Sequence, residues 1–289
     1  MEQEDYWMKV LITGAAGYIG KHAVKAFLNA GHDVWVSDFQ YKGIDEKARI
    51  IDEPIFSGAK DIYERLGRPD VLVHMAWRDG FIHNSRAHLG DLSSHMTFLE
   101  NMIDGGLKYL TVMGTMHEIG YWEGAIDEHT PCNPMSMYGI AKNAMRQALM
   151  LYVNEKDVHL HWLRAYYIYG DDIRGSSIFA KLCQAEEDGK EVFPFTSGKN
   201  KYDFIHVDEL AKMICAASVQ SGIDGVINVC TGEPLTLADK VESFIKEHHF
   251  SIRLKYGAFP DRPYDSPGAW GDPTLIKKIM ESSKDEEMA

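Results

Sequence analysis

The chain has 289 residues, 45% hydrophobic and 25% charged, with a net charge of −13. This is the balance of a globular protein, with enough chain for one large domain or two modest ones. The acidic surplus excludes broad contact with nucleic acid or an anionic membrane, which needs clustered Lys and Arg, but not a small anionic ligand in a local basic pocket. Cys132, Cys183, Cys215 and Cys230 have neither metal-knuckle nor redox-motif spacing, no apolar run reaches membrane length, and the start Met1–Asp5 is acidic where a signal peptide is basic. The expected setting is cytoplasmic, with reduced thiols and a loose extension over residues 1–7.

Short apolar runs then alternate with amphipathic stretches. Strands are expected at Lys9–Thr13, Asp33–Ser37, Val71–His74, Tyr109–Met113 and His159–Arg164. Helices are expected at Lys21–Ala30, Ile62–Leu66, Leu92–Asp104 and Tyr138–Glu155. Strands separated by helix-length segments need crossover connections, so they form a parallel sheet covered on both faces. Beyond Tyr169 the pattern loosens: a loop at Asp171–Ser176, a helix at Ile178–Asp188, strands at Asp203–Val207 and Val226–Val229, and an irregular Gly/Pro-rich stretch from Gly257 to Gly271. The expected fold is a doubly wound α/β Rossmann domain over 8–170, with segments near 203–232 returning to it. Residues 171–202 and 233–289 are expected to form a smaller, interleaved C-terminal lobe that holds the substrate.

Gly14-Ala15-Ala16-Gly17-Tyr18-Ile19-Gly20 follows the first strand directly and opens the first helix. Glycines there allow a tight turn and close approach to a pyrophosphate at the positive end of the helix. Asp38 ends the second strand, where a carboxylate accepts from ribose hydroxyls and repels a 2′-phosphate; its other reading is strand-end solvation. The loop therefore points to a nicotinamide dinucleotide. Asp38 favours NAD over NADP, while Lys42 and His22 are the nearby cations that would serve a 2′-phosphate instead.

Tyr138 and Lys142 stand four residues apart, on one helical face. A free phenol, with a pKa near ~10, is a poor base at neutral pH. A neighbouring ammonium favours the phenolate and lets Tyr138 give or take the proton of a carbinol oxygen. Thr115, 23 residues before Tyr138, lies just beyond the preceding strand and would share that oxygen. Thr111 is expected to pack within the sheet.

This pattern resembles the extended short-chain dehydrogenases/reductases of the NAD-dependent epimerase/dehydratase family, which act on nucleotide-diphosphate sugars. The resemblance extends to His74-Met-Ala-Trp77, with Ala76 along the cofactor, to Arg164 followed by Tyr169-Gly170, to Asp203-Phe-Ile-His-Val-Asp208, to Asn228–Gly232 and to Arg262-Pro263. It implies that Gly14, Gly17, Tyr18, Ile19, Gly20, Asp38, Ala76, Tyr138 and Lys142 hold the cofactor, with Lys142 on the nicotinamide ribose. It implies a nucleotide-sugar substrate in the cleft, touched by Thr115, by Arg262 and by the positions of Tyr167 and Tyr202. It further implies a homodimer built on the helices near 92–104 and 138–155, where Met145, Ala148, Leu149 and Tyr152 fit either that face or the core.

The chain also departs from its relatives. The dehydratases carry Asp-Glu after the catalytic Thr, whereas Met116-His117 stand here, so water elimination lacks its acid and base. His117 falls where 3,5-epimerase/reductase members carry an acid/base cysteine, and reads either as an acid/base or as a residue positioning the sugar. Tyr167 and Tyr202 replace the Asn and Arg that in relatives contact the diphosphate. Lys199 and Lys201 either restore that charge or form a solvated hairpin. Arg78, flanked by Trp77 and Phe81, reads as a substrate contact or as loop packing. The expected activity is NAD(P)-dependent redox at a sugar carbon, C4, as a 4-epimerase or 4-ketoreductase. The rival is a cofactor-binding regulator without turnover. No metal site is expected.

Overall fold

The computed structural model describes residues 7–170, 177–260 and 266–288. The expected extension before Trp7, the expected loop Asp171–Ser176 and Arg262 lie outside them. In chain order the elements of the first half are β1 (Lys9–Thr13), α1 (Tyr18–Asn29), β2 (Asp33–Ser37), β3 (Arg49–Ile50), α2 (Ile62–Arg65), β4 (Val71–His74), α3 (Ala87–Gly90), α4 (Leu92–Gly105), β5 (Tyr109–Thr115), β6 (Gly124–Ile126) and α5 (Met137–Val153). There follow β7 (His159–Ala165), β8 (Tyr167–Tyr169), α6 (Ile178–Glu187), β9 (Val192–Pro194), β10 (Lys201–His206), α7 (Val207–Ser218), β11 (Gly225–Val229), β12 (Pro234–Thr236), α8 (Leu237–Glu247), β13 (Arg253–Lys255), β14 (Gly268–Gly271) and α9 (Thr274–Met288).

Seven strands form one parallel sheet in the order β3-β2-β1-β4-β5-β7-β11. Side chains alternate through it because a strand's period is two. Val10 and Ile12 face α1, α7 and α9, whereas Leu11 between them faces α2, α4 and α5. Burial on both faces explains why these strands are near-continuous apolar runs. The strand order reverses between β1 and its neighbours β2 and β4, which opens a crevice at their carboxyl ends.

The smaller lobe is a second sheet, β12-β10-β14-β6, with β8 pairing β10, and a separate β9–β13 pair. Its core joins Phe179 and Leu182 of α6, Phe195, Phe204 of β10, and Val241 and Phe244 of α8. Three assignments differ from expectation: first, β6 and β8, within the 8–170 stretch expected to form the Rossmann domain, join the lobe sheet. Residues 201–206 belong to the lobe sheet, and only α7 and β11 return to the large one. Conversely α9 leaves the lobe: Ile276 and Ile279 pack against the α7 side of the large sheet, covering apolar surface that α1 and α7 alone leave open. No helix among the described residues is long and apolar enough to cross a membrane.

Candidate active site

The turn after β1 is shaped by its glycines. Gly14 has φ +73°, and a Cβ there would lie 2.5 Å from the Ala76 nitrogen at the end of β4. A Cβ on Gly20 would lie 2.2 Å from the Gly14 carbonyl oxygen, so α1 can start against the turn only with glycine at that position. Gly17 donates to Gly14 O (3.1 Å) and caps α1. The N–H groups of the first turn have no partner within the helix, and Gly14, Gly17, Tyr18, Ile19 and Gly20 line the cleft. At the end of β2, Asp38 Oδ2 accepts from Ala16 N (2.8 Å) and Oδ1 from Phe39 N (2.7 Å), which fixes a carboxylate at the edge of the loop. Backbone donors at a helix N-terminus, a turn without side chains and a carboxylate on the next strand together fit a dinucleotide.

The cleft continues from this loop to the smaller lobe, with a volume of about 1260 Å³. Its floor carries the three residues expected to react. Thr115 is the last residue of β5 and caps a short 3₁₀ turn, Met116–Glu118. Helix α5 begins at a Ser136 cap, with Gly139 N donating to Ser136 Oγ (3.1 Å). A Cβ on Gly139 would lie 2.3 Å from the His117 carbonyl oxygen, so this glycine is what lets α5 dock on the turn. That approach brings the Tyr138 phenol to the cleft wall beside Thr115, whose side chain favours the phenolate. Burial pushes the phenol up to about 12, opposed by the Thr115 side chain. One turn on, Lys142 Nζ donates to Met113 O (2.8 Å) and sits 3.9 Å from the centre of the Trp77 ring. Burial pulls its amine down to about 7, opposed by the charge of Glu118.

Three histidines surround this pair. His83 stacks on Tyr138 at 5.7 Å between ring centres and meets His117 at 4.4 Å. His117 is held at about 4 by burial and by His83, so its imidazole is neutral at pH 7. His88 lies 5.3 Å from Tyr138, and its Nδ1 accepts from the Trp77 indole (3.0 Å). Since Nδ1 accepts, Nε2 carries the proton toward Ile82 O (3.0 Å). Neither His83 nor His88 was singled out by the sequence. The 3₁₀ turn hides a further residue without a motif: Glu118 is fully buried directly behind Thr115.

On the lobe side Tyr167 and Tyr202 line the cleft with ring centres 4.0 Å apart. Arg78 does not join them. Its Nη2 donates to Asp91 Oδ1 (2.8 Å) in a surface ion pair, and it is not among the residues lining the cleft. Lys199 and Lys201 are exposed outside the cleft. Among the described residues lining it, Lys142 is the one Lys or Arg. His22, a cation considered for a 2′-phosphate, is paired with Asp208 (2.6 Å).

Comparison with known proteins places this geometry. Residues 10–230 match the profile of the NAD dependent epimerase/dehydratase family. The chain is 41% identical to dTDP-6-deoxy-L-talose 4-dehydrogenase (NAD(+)) of Aggregatibacter actinomycetemcomitans, over 91% of this chain and 99% of that protein. It is 30% identical to UDP-glucose 4-epimerase of Lactobacillus helveticus, over 94% and 91% of the two chains. In fold it is similar to the crystal structure of UDP-glucose 4-epimerase from Thermotoga maritima with UDP-glucose, with a TM-score of 0.80 at 24% identity, covering 94% and 92% of the chains.

Proposed function

The chain belongs to the NAD dependent epimerase/dehydratase family, and we propose that within it the protein is a nucleotide-sugar 4-ketoreductase that releases its cofactor after each turnover. It is an NAD-dependent enzyme of sugar-carbon redox. The observation that carries the finer reading is that Thr115, Tyr138 and Lys142 line one cleft together with the glycine loop, with Lys142 four residues after Tyr138 on α5. The 41% identity to a 4-dehydrogenase supports C4 and net redox over epimerisation.

NADH held at the glycine loop, with Gly14, Gly17 and Gly20 against its pyrophosphate, would supply hydride to the carbonyl carbon. The protein's part is the oxygen: the Thr115 and Tyr138 hydroxyls both donate to it, and Tyr138 transfers its proton as the C–O bond becomes a carbinol. The Lys142 ammonium, on the same helical face, stabilises the phenolate left behind until solvent restores the proton. A phenol held at about 12 is an acid ready at neutral pH. To act as the base at pH 7, with no compensating charge, it would first cost on the order of 7 kcal/mol to ionise. Whichever way the reaction runs, the phenolate needs a neighbouring positive charge, and Lys142 on the same helical face supplies it.

His117 acts by position. An imidazole with a pKa of about 4 is a weak base for a carbon-bound proton, whereas as a neutral ring at the cleft wall it suits a hydroxyl. The nucleotide sugar extends past Tyr167 and Tyr202. The protein works as a cytoplasmic homodimer, a reading supported by cysteines that are all free and by the exposed Ile140 and Leu151 of α5.

The test is a panel of nucleotide sugars and their 4-keto forms with NADH and NADPH in D₂O, read by product NMR. The expected result is stoichiometric oxidation of NADH, a new carbinol at C4 and no enzyme-dependent deuterium at C3 or C5. Interconversion of C4 epimers without net cofactor change contradicts the reductase reading. Cofactor binding with no turnover on any sugar supports the regulator instead.

A further inference from the structure

Behind the Thr115–Tyr138 pair lies a carboxylate that the proton path does not use. Glu118 has no exposed surface, and its Oε1 accepts from the Thr115 backbone N–H at 2.8 Å. The Trp162 indole of β7 donates to both of its oxygens, at 2.9 and 3.1 Å. Arg146 Nε and Arg164 Nη2 approach Oε2 at 3.5 and 3.7 Å. The Nε atoms of Arg146 and Arg164 are buried without a hydrogen-bond partner, so the Glu118 charge is what compensates these guanidiniums. Even the preceding residue is fitted to it: a Cβ on Gly114 would lie 2.8 Å from Glu118 Oε1 and 2.2 Å from Trp162 Nε1.

The arms of this carboxylate end on the two elements that carry the reaction. One holds the backbone of Thr115 at the end of β5. Another holds Arg146, which follows Lys142 by four residues on α5 and so lies on the same helical face. The same turn has His117 N donating to Thr115 Oγ1 at 3.3 Å. With one lone pair taken by that N–H, the hydroxyl is turned so that its proton is left to donate into the cleft.

We propose that Glu118 is a positioning residue for the Thr115–Tyr138–Lys142 site, its buried carboxylate clamping the end of β5 to α5 and so fixing the reach from the Thr115 hydroxyl to the Tyr138 phenol. The assignment rests on the redox reading of that trio. It acts by charge as well as by geometry: Glu118 raises the pKa of both Tyr138 and Lys142, keeping the ammonium charged and the phenol protonated. Glu118→Gln keeps an acceptor for Thr115 N–H and Trp162 but removes the charge, so both groups titrate at lower pH.

The test compares Glu118→Gln and Arg146→Gln with the wild type in kcat, sugar KM, NADH Kd and the titration of Lys142 by ¹³C-lysine NMR without substrate. Expected for Glu118→Gln are a kcat lower by about tenfold or more with KM and NADH Kd within about twofold. The Lys142 midpoint should also fall by about half a pH unit or more. Arg146→Gln breaks the arm to α5, together with the Arg146 contacts to Asn143 and Cys132, and should lower kcat with KM and NADH Kd likewise held, which keeps the proposal testable if Glu118→Gln does not fold. A kcat within about twofold of wild type in either variant overturns it, as do parallel losses in kcat, KM and NADH affinity, the mark of general unfolding. Tyr138→Phe is the separate control. If that variant keeps its turnover, the redox reading of the trio fails, while the Lys142 titration still judges what Glu118 does to its neighbours.

Discussion

Tyr138 and Lys142 share one helical face, and burial moves both toward their neutral forms, up to about 12 for the phenol and down to about 7 for the amine. Each shift has a separate consequence. Tyr138→Phe keeps the ring and its stacking on His83 while removing the proton, so kcat should fall by about a hundredfold or more with NADH affinity within about twofold; stopped-flow turnover and calorimetry check the two halves. Lys142 loses its proton as pH rises through about 7. A net anionic ligand whose ribose hydroxyls accept from it favours the ammonium, so NADH binding just above neutrality should take up a proton and weaken with rising pH. Titration calorimetry in buffers of different ionisation enthalpy reads that proton, and a binding enthalpy independent of buffer contradicts the assignment. Tyr138, Lys142 and Thr115 were legible because a helical spacing of four and a strand end carry their own geometry. Glu118, His83 and His88 were not. A lone Glu in a short turn reads as solvated, and the two histidines reach Tyr138 through a loop whose path no periodicity encodes. The Arg78–Asp91 ion pair was not legible either, because only folding brings the two together.

Among elements, the strands of the large sheet were readable almost to the residue: β1, β2 and β4 coincide with their apolar runs because both faces are buried. Strand β5 runs further than expected, to Thr115 itself, since Gly114 continues the pairing with Arg164 of β7. The smaller lobe was less legible. β6, β8, β9, β12 and β13 are three residues each, too short to show a period of two, and they pair with partners distant in sequence. Residues 233–289 were expected in the lobe as one stretch with no helix read near its end, whereas Ile276 and Ile279 of α9 pack on the large sheet. The element that matters most for chemistry is α5, whose approach to the turn after β5 depends on a residue without a side chain. Gly139→Ala puts a Cβ 2.3 Å from His117 O and 3.0 Å from Pro134 Cβ. The helix must then lift away from Thr115, with a loss on the order of 1–3 kcal/mol in stability and a larger relative loss in kcat than in NADH affinity. Thermal unfolding and steady-state kinetics measure both, and an unchanged kcat would show that α5 is placed by other contacts.

At the scale of the whole molecule, the cleft and the outer face of α5 are two of the exposed features among the described residues. Met145 and Leu149, which fitted either the core or a partner, lie in the chain's own core against α4. On the outer side of α5, Ile140, 44% exposed, and Leu151, 79% exposed, stand three helical turns apart. If that face pairs, Leu151→Glu places a charge in an apolar contact and should shift the mass found by light scattering at micromolar concentration from dimer to monomer, with kcat per chain little changed. A wild-type monomer removes the claim. The cleft joins three parts of the chain: the turn after β1, the end of β5 with the start of α5, and β8 with β10. The account predicts that these meet on one carbon. Turnover of a 4-keto nucleotide sugar with NADH deuterated at the transferring position of the nicotinamide C4 tests this most directly. The predicted product carries deuterium at sugar C4 alone, with one NAD⁺ formed per sugar reduced. Product without the label, label at another carbon, or C4 inversion that leaves NADH unspent contradicts it.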